Sequence, residues 1–315
     1  MMPNKLKAGD EVRVIAPSRS MAILGEDCKK IATERLEALG LKVTFGKHVM
    51  EYDVDYFAAS MDARIADLNE AFRDKNVKAI LTVIGGFNSN QILDYIDYEA
   101  IKENPKIFCG FSDITALSCS IYAKTGLVTY SGPHYSSLGM KKGFEYTLEN
   151  FKKMFFQEDE FELTSSEEWS DDPWFMDQEN RDFVKNDGMY VINEGDAEGD
   201  IVGGNLCTLN LLQGTEYMPN IENKILFLED DDMAGKIFLM EFDRNLQSLM
   251  HMPEFKTVKG IVLGRSQKAT EMTKEKWIKM IKNKKELAHI PVIAGADFGH
   301  STPIFTFPVG GRAII

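Results

Sequence analysis

The fold of this chain is decided by the stretch Lys106-Ile107-Phe108-Cys109-Gly110-Phe111-Ser112-Asp113-Ile114-Thr115-Ala116-Leu117. Its first four residues are typical of a buried strand, the next four of a tight turn, and the last four of a helix start. A serine at such a turn is lifted out of the sheet, so its hydroxyl is exposed and the following backbone N–H groups point towards the group it attacks. Ser112 is therefore a candidate nucleophile, although Ile114 stands where the hydrolase pattern has a second glycine. The commoner use of such a serine, as a helix N-cap, is the alternative.

Short strand patterns and longer helical patterns alternate around this stretch. The strands are predicted at 11–16, 42–45, 79–84, 106–109 and 127–130, and the helices near 27–39, 60–74, 89–96 and 113–124. Such alternation predicts a mainly parallel sheet covered by helices, with functional loops at the carboxyl ends of the strands. Ser112 lies at one such end, and Gly85-Gly86-Phe87-Asn88-Ser89-Asn90 occupies the neighbouring one. The two glycines either let a ligand approach the backbone closely or form a flexible turn.

The chain is predicted to have two domains of the α/β class. Residues 1–155 are expected to form an N-terminal, mainly parallel α/β sandwich that carries the candidate nucleophile. Residues 196–315, with closely spaced, glycine-rich strand patterns, are expected to form a smaller, mixed, β-rich C-terminal domain. Between them, residues 156–195 are acidic, aromatic and non-periodic, which is typical of an interdomain connection.

The charge and composition of the chain exclude several classes of function. Its 49 acidic and 36 basic residues give a net charge of −13, which opposes the positive field that nucleic-acid polymers require. No segment approaches the roughly 20 uninterrupted apolar residues of a membrane span, and the first residues lack the apolar core of a secretory signal. We therefore expect a cytoplasmic protein. The four scattered cysteines predict free thiols and no zinc site.

A serine hydroxyl needs a positioned base, and histidine is the usual one. Of the five histidines, His134 and His300 follow buried strand patterns, and position favours His300 only slightly, on account of its glycine-flanked loop. The base needs a carboxylate to orient it, and Glu229 ends an apolar strand. Residues 230–232 are also acidic, so this run is alternatively a Ca²⁺ or Mg²⁺ loop, although the ligand spacing of an EF-hand is missing.

Several motifs resemble the LD-carboxypeptidase family of serine peptidases, and they occur in the order of that family. They are Gly85-Gly86-Phe87-Asn88-Ser89-Asn90, Gly110-Phe111-Ser112-Asp113-Ile114-Thr115, Gly203-Gly204-Asn205-Leu206, Leu226-Phe227-Leu228-Glu229-Asp230 and Phe298-Gly299-His300. The opening from Gly9-Asp10 to Ala16-Pro17-Ser18 also looks like the first strand of the family, so the resemblance covers essentially the whole chain. Two further stretches look more like the microcin C immunity branch than the murein tetrapeptide carboxypeptidases: Trp169-Ser170-Asp171-Asp172-Pro173-Trp174 and Gly214-Thr215-Glu216-Tyr217-Met218-Pro219.

Carried over residue by residue, the resemblance implies a serine hydrolase that needs no metal and no cofactor. Ser112 would be the nucleophile, His300 the base, and Glu229 the carboxylate that orients the base. The backbone N–H groups of Gly86 and Asp113 would form the oxyanion hole. The family also implies a homodimer.

Contacts to the substrate are expected from four further residues. Gly85 and Phe87 lie in the glycine loop, and Asn205 lies in the motif Gly203-Gly204-Asn205-Leu206. Trp174, more than Trp169, is the candidate for stacking on a purine leaving group, because base–aromatic stacking tolerates different bases. The alternative for either tryptophan is packing at a domain or dimer interface.

The resemblance implies hydrolysis of an amide between a peptidyl or aminoacyl carboxyl group and a nucleotide-like leaving group, as in microcin C self-immunity. The sister activity removes a terminal D-amino acid from a murein tetrapeptide during cell-wall recycling and uses the same catalytic residues. The alternative from another class is a non-catalytic module whose two α/β domains close on a small molecule. Covalent labelling of Ser112 by a serine-directed reagent separates an enzyme from such a module.

Overall fold

Strands and helices alternate along most of the chain in the computed structural model, which describes residues 1–315. The strands are β1 (Glu11–Ile15), β2 (Lys42–Phe45), β3 (Val77–Thr82), β4 (Ile107–Cys109), β5 (Thr129–Ser131), β6 (Glu168–Trp169), β7 (Val184–Lys185), β8 (Tyr190–Asn193), β9 (Glu198–Asn205), β10 (Ile225–Glu229), β11 (Gly260–Gly264), β12 (Val292–Ala296), β13 (Phe307–Val309) and β14 (Arg312–Ile314). The α-helices are α1 (Glu26–Ala38), α2 (Met61–Arg73), α3 (Tyr98–Glu103), α4 (Thr115–Thr125), α5 (Glu145–Phe156), α6 (Leu206–Asn210), α7 (Phe238–Met250) and α8 (Lys274–Lys282).

The first sheet has the strand order β13-β5-β4-β3-β1-β2, and all of its strands are parallel except β13, which runs antiparallel to β5. β4 is fully buried and β3 nearly so, which accounts for their continuous apolar sequence. The mainly parallel α/β sheet predicted for this half is confirmed. Because β1, β3 and β4 are parallel neighbours, the loops that follow them meet at one edge of the sheet.

The second sheet has the strand order β14-β9-β10-β11-β12-β8. Its four central strands are parallel, whereas the edge strands β14 and β8 are antiparallel to their neighbours. The predicted mixed, β-rich character of the C-terminal half is therefore confirmed. Asn205 and Glu229 are register partners at the carboxyl ends of β9 and β10, so both lie at the same edge of this sheet.

Helix α4 connects the two sheets, because its buried residues belong to the same apolar core as β9 and β10. The Cys119 thiol of α4 donates to the Gly203 carbonyl of β9 at 3.6 Å. The two sheets also contact each other directly, because the ring centroid of Phe307 in β13 lies 4.9 Å from that of Phe227 in β10. α4 begins three residues after Ser112, so this packing places the turn that carries Ser112 beside the second sheet.

The segment predicted as the interdomain connection, 156–195, contains the short antiparallel pair β6–β7. Its chain is tied to the loop around His300, because Ser170 and Thr302 exchange two backbone hydrogen bonds of 2.8 Å. The boundaries at residues 155 and 195 stay predictions. None of the helices combines the length and the apolar composition that crossing a bilayer demands.

Candidate active site

The turn after β4 holds Ser112 in a backbone conformation that is unusual for a residue with a side chain. Ser112 has φ 60°, in the left-handed region that ordinarily favours glycine. A non-glycine residue in this conformation costs on the order of 1 kcal/mol, and such strain is concentrated at functional sites. The Ser112 hydroxyl caps no backbone N–H of the following helix, so the N-cap alternative does not describe its contacts.

The Ser112 hydroxyl instead contacts His300, which comes from the other half of the chain. Ser112 Oγ lies 3.0 Å from His300 Nε2, and His300 Nδ1 lies 2.8 Å from Glu229 Oε2. Glu229 is buried at the end of β10, whereas the ring of His300 stays partly accessible. In the neutral tautomer that fits these two hydrogen bonds, His300 donates from Nδ1 to Glu229 and accepts at Nε2 the hydrogen bond of the Ser112 hydroxyl.

A glycine before His300 makes the close approach to Glu229 possible. Gly299 has φ 106°, a conformation that side-chain-bearing residues rarely adopt. A Cβ atom at this position would lie 2.6 Å from Glu229 Oε2. The loop therefore has room for the carboxylate only because residue 299 lacks a side chain.

The carboxylates around His300 favour its protonated form. Burial alone would lower the pKa of His300, but the charge and hydrogen bond of Glu229, together with the charges of Asp231 and Asp230, raise that pKa to about 9. Burial and the neighbouring Glu229 in turn raise the pKa of Asp230 to about 6. A base with a raised pKa is neutral, and so able to accept a proton, only as the pH becomes alkaline.

The side chain of Asp113 fastens the glycine loop beside Ser112. Its Oδ2 accepts hydrogen bonds from Ser18 Oγ (2.6 Å), Asn88 N (3.0 Å) and Ser89 N (2.9 Å). Ser89 Oγ also donates to the Asp113 carbonyl at 2.6 Å. Three donors on one buried carboxylate fix the spacing between the Ser112 turn and the loop that contains Gly86.

Gly85 lies directly against Ser112. A Cβ atom at residue 85 would lie 2.9 Å from Ser112 Cβ, 3.0 Å from Ser112 Oγ and 3.5 Å from the Asp113 nitrogen. The loop approaches the hydroxyl this closely only because Gly85 has no side chain, whereas the neighbouring Phe87 is 69 % exposed. The predicted ligand loop and the predicted nucleophile are thus brought together.

His134, the rival candidate for the base, does not contact Ser112. Its Nδ1 lies 2.8 Å from Thr82 Oγ1, and its ring stacks on Phe111 with 4.3 Å between centroids. Burial, followed by the positive charges of His300 and Arg19, lowers the pKa of His134 to about 3. His134 therefore stays neutral and supports the turn from beneath, through Phe111.

The acidic run after Glu229 is engaged in protein contacts. Asp230 accepts hydrogen bonds from Asn205 Nδ2 (3.0 Å) and Cys207 N (3.2 Å), and Asp231 accepts one from Met233 N (2.9 Å). The Asn205 side-chain oxygen caps α6 by accepting from Thr208 N at 3.1 Å. Asn205 is 1 % exposed, so its side chain holds the protein together in this structure, and its predicted contact to substrate stays a prediction.

The two tryptophans of the connection differ in their surroundings. The ring of Trp169 lies near two cations, those of Arg265 and Lys268, which are 5.1 and 5.2 Å from its centroid. The aromatic neighbour of Trp174 is the exposed Phe175, at 6.1 Å between centroids. The occupied ring of Trp169 favours a structural role there, and Trp174 stays the candidate for stacking on a ligand.

Sequence reasoning overlooked the contribution of the loop after β1. Ser18 binds the Asp113 carboxylate, and Arg19 donates from Nε to the Gly85 carbonyl at 3.0 Å. Arg64 of α2 supports the same place by donating to the carbonyls of Pro17 (3.1 Å) and Asn88 (2.9 Å). The available signal was the polar pair Ser18-Arg19 at the carboxyl end of a strand that neighbours β3 in a parallel sheet.

Comparison with known families matches both halves of the chain. Residues 12–132 match the LD-carboxypeptidase N-terminal domain, and residues 198–315 match the LD-carboxypeptidase C-terminal domain. YocD of Bacillus subtilis (strain 168), a carboxypeptidase by name, is 54 % identical over 315 residues, which are 100 % of this chain and 96 % of YocD. A second protein of that strain, a murein peptide carboxypeptidase by name, is 34 % identical over 99 % of this chain and 90 % of its own length.

Solved structures agree with this assignment over the whole fold. The MccF-like protein from Bacillus anthracis str. Ames is 58 % identical, with a TM-score of 0.99 over 100 % of this chain and 95 % of that one. The microcin C7 self-immunity protein MccF in complex with aspartyl sulfamoyl adenosine is 30 % identical, with a TM-score of 0.88 over 100 % of this chain and 95 % of that one. The likeness therefore extends across both sheets and the loops between them.

Proposed function

This chain belongs to the LD-carboxypeptidase family and is a serine carboxypeptidase-type hydrolase, and from that premise we propose that Ser112, His300 and Glu229 are its catalytic triad. The observation that carries the proposal is the hydrogen-bonded chain Ser112–His300–Glu229, with distances of 3.0 and 2.8 Å, assembled from both halves of the molecule. A non-catalytic binding module does not need a strained serine hydrogen-bonded to a histidine–carboxylate pair.

The proposed reaction is acyl transfer through Ser112. Ser112 Oγ attacks the carbonyl carbon of the substrate amide while His300 Nε2 takes the hydroxyl proton. His300 then gives this proton to the leaving nitrogen as the carbon–nitrogen bond breaks, which leaves an acyl ester on Ser112. Water, deprotonated by His300, attacks the ester carbonyl, and the ester bond breaks as His300 returns the proton to Ser112 Oγ, which frees the acid and restores the enzyme. Glu229 holds the ring orientation and stabilises the imidazolium throughout.

The backbone N–H groups of Gly86 and Asp113 are the proposed oxyanion donors. Two features support them: Gly85 lies against Ser112 Oγ, and the Asp113 carboxylate ties its own turn to the loop of Gly86. Donors fixed in advance stabilise the developing negative charge without reorganising during the reaction, and a single donor is typically worth on the order of a hundredfold in rate.

We propose that the scissile amide joins a peptidyl or aminoacyl carboxyl group to a nucleotide-like leaving group. This specificity is supported by the likeness to MccF, which has been solved with aspartyl sulfamoyl adenosine, and by the availability of Trp174 for stacking. A base stacked on an aromatic side chain gains about 1–3 kcal/mol. Trp174→Ala should therefore weaken kcat/KM for a nucleotide conjugate by roughly tenfold or more and leave a murein peptide unaffected. Loss of folding in this variant would instead indicate a packing role, and Trp169→Ala is the matched control.

The second candidate is the sister activity, release of a terminal D-amino acid from a murein tetrapeptide. It is favoured by the 34 % identity to a protein named as a murein peptide carboxypeptidase. Parallel hydrolysis assays decide between the two candidates: an aspartyl-sulfamoyl-adenosine conjugate and a murein L,D-tetrapeptide, with wild type beside Ser112→Ala. Selective turnover of one substrate that is lost in the variant assigns the reaction. Undiminished turnover in Ser112→Ala would refute the triad.

Two expectations about the state of the protein stay proposals. The family resemblance implies a homodimer, which light scattering coupled to size exclusion tests directly. The cytoplasmic location is tested by fractionating cells that carry an epitope-tagged copy.

A further inference from the structure

Arg19 is a positively charged residue beside the candidate site, and it has no role in the proposed triad mechanism. It lies in the loop after β1, where its backbone N–H donates to the Gly85 carbonyl at 3.4 Å and its Nε donates to the same oxygen at 3.0 Å. Gly85 in turn lies against Ser112, since a Cβ atom there would be 3.0 Å from Ser112 Oγ. Only one residue therefore separates the guanidinium group from the nucleophile.

The terminal nitrogens of Arg19 make no hydrogen bond or ion pair within the protein, unlike those of the other buried or partly buried arginines. At least one terminal nitrogen of each of those residues contacts a group of the protein: Arg13 with Glu11, Arg35 with the Leu138 carbonyl, Arg64 with the Pro17 carbonyl, Arg181 with the Lys142 carbonyl and Arg265 with Asp297. Arg19 makes a side-chain hydrogen bond only through Nε, and no carboxylate lies within the 4.0 Å of an ion pair. Its two terminal nitrogens remain available to a ligand.

The surroundings of Arg19 hold it in place without neutralising it. The Nε hydrogen bond fixes the plane of the guanidinium group, and the exposed ring of Phe87 lies 5.9 Å from its central carbon. The nearby Asp113 carboxylate is already occupied by three donors from Ser18, Asn88 and Ser89. In a chain of net charge −13, such an unpaired and oriented guanidinium group is suited to bidentate binding of an anion.

The two halves of the site also differ in the sign of their charge. Asp230 and Asp231 lie close enough to His300 to influence its protonation, so an anionic group is repelled from that side. Arg19 belongs to the N-terminal half and lies next to the glycine loop. An anionic substituent of the substrate is therefore directed towards Arg19 and away from the acidic run.

We propose that Arg19 binds an anionic group carried by the leaving nitrogen of the substrate, within two or three bonds of the scissile amide. This inference rests on the proposed function, because it assigns a subsite to the same centre. Both candidate substrates carry suitable oxygens: the terminal carboxylate of a D-amino acid, or the sulfamoyl or phosphoryl group of a nucleotide conjugate. Amides whose leaving nitrogen carries only neutral groups should be poor substrates.

Matched substrate pairs test this proposal. One pair is a murein L,D-tetrapeptide with a free carboxylate and its carboxamide. The other is aspartyl-sulfamoyl-adenosine and the aspartyl amide of 5′-amino-5′-deoxyadenosine. For the pair that the enzyme turns over, Arg19→Gln should lower kcat/KM of the anionic member by roughly 10- to 100-fold more than that of the neutral member, whose loss reports only the lost support of the Gly85 carbonyl. Arg19→Lys should retain part of the preference, because it keeps the charge and loses the fork of donors.

The controls separate anion binding from support of the loop. If Arg19 only holds the Gly85 carbonyl, Arg19→Gln slows both members of a pair equally, and the proposal is wrong. Arg244→Gln, on the exposed face of α7, makes the same change of net charge and should alter neither member. Equal melting temperatures for wild type and Arg19→Gln show that the fold is intact.

A binding measurement keeps the proposal independent of turnover. In the Ser112→Ala background, calorimetry should give tighter binding of the anionic member than of the neutral one, and Arg19→Gln should abolish this difference. Equal affinities in the presence of Arg19 would overturn the inference even if the enzyme is active. Absence of hydrolysis by wild type, together with preferential anion binding, would overturn the proposed function and leave the Arg19 site standing.

Discussion

The two halves of the molecule hold their parts of the site by different physical means. In the N-terminal half, the backbone does the positioning: Ser112 has φ 60°, Gly85 lies against it without a side chain, and the Asp113 carboxylate binds the glycine loop. In the C-terminal half, negative charge controls the protonation of the histidine, because Glu229 and its acidic neighbours raise the pKa of His300. Backbone geometry thus positions the proposed nucleophile, whereas the carboxylates of the C-terminal half set the protonation of the proposed base.

This difference means that substitutions in the two halves should have different signatures. A change in the N-terminal half misplaces the Ser112 hydroxyl or the proposed oxyanion donors, so it should lower the rate at every pH. A change in the C-terminal half alters the protonation of His300, so it should also move the pH profile.

The largest effect is expected at Ser112 itself. Ser112→Ala removes the proposed nucleophile and should lower kcat by about a millionfold, as loss of a triad serine does elsewhere. Ser112→Gly should be equally inactive but more stable than Ser112→Ala by about 1 kcal/mol, because glycine relieves the left-handed strain. Denaturant unfolding measures this difference. The matched control is Ser120 within α4, where Ser120→Gly should be less stable than Ser120→Ala because glycine weakens a helix. If the glycine variant is the less stable one at both positions, residue 112 carries no strain.

The next effect is expected at Glu229. Glu229→Gln keeps the shape but loses the charge, and should lower the maximal kcat by about 10⁴-fold. Removing the carboxylate also removes the main cause of the raised pKa of His300. Wild-type kcat/KM should rise with pH through the region of about 9, since the neutral ring is the proposed base, and the rise in Glu229→Gln should occur at least about one pH unit lower. A pH profile that does not move would show that Glu229 does not set the charge of His300.

A smaller effect is expected at Gly85. The methyl group of Gly85→Ala would lie 2.9 Å from Ser112 Cβ, so either the loop or the hydroxyl must shift. A displacement of about 1 Å costs on the order of a hundredfold in kcat. The pH dependence of kcat/KM should stay that of wild type, because His300 and its carboxylates are untouched. Gly25→Ala, at a position with open space around it, is the control and should leave the rate unchanged.

The smallest effect is expected at the Asp113 carboxylate. Asp113→Asn replaces charge-assisted hydrogen bonds to the glycine loop by weaker neutral ones and should lower kcat about tenfold, again without moving the pH profile. Asp67→Asn is a control for stability, since Asp67 is also a buried carboxylate that accepts from a backbone nitrogen, that of His48. Both variants should have lower melting temperatures, and only Asp113→Asn should lose activity. Equal activity losses would point to a general effect of destabilisation.

The sequence predicted best what depends on local pattern. The strand–turn–helix pattern around Ser112, the parallel first sheet and the mixed second sheet all follow from periodicity and from the positions of glycines. The helix predicted at 113–124 is observed at 115–125, with a short 3-10 turn before it. The strand predicted at 79–84 lies two residues earlier, at 77–82, because the apolar run continues into the loop that leads to Gly85.

What the sequence could not predict depends on contacts between distant parts of the chain. β13 pairs with β5 although 175 or more residues separate them, and no local pattern encodes that partner. Position in the sequence barely distinguished His134 from His300. In the fold, His134 contacts Thr82 and Phe111, whereas His300 contacts Glu229 and Ser112. Likewise, Asn205 is the cap of α6, and Arg19 gains its position only from a loop 66 residues away.

The most direct test of this account is the pH dependence of covalent labelling of Ser112 by a neutral fluorophosphonate, followed by peptide mapping in wild type and in His300→Gln. The account predicts one adduct, on Ser112, that forms faster as the pH rises through the raised pKa of His300, and forms at least about a hundredfold more slowly in the variant. An adduct at another residue, no adduct, or an equal rate in His300→Gln would contradict the claim that a serine from one half of the molecule is activated by a histidine from the other.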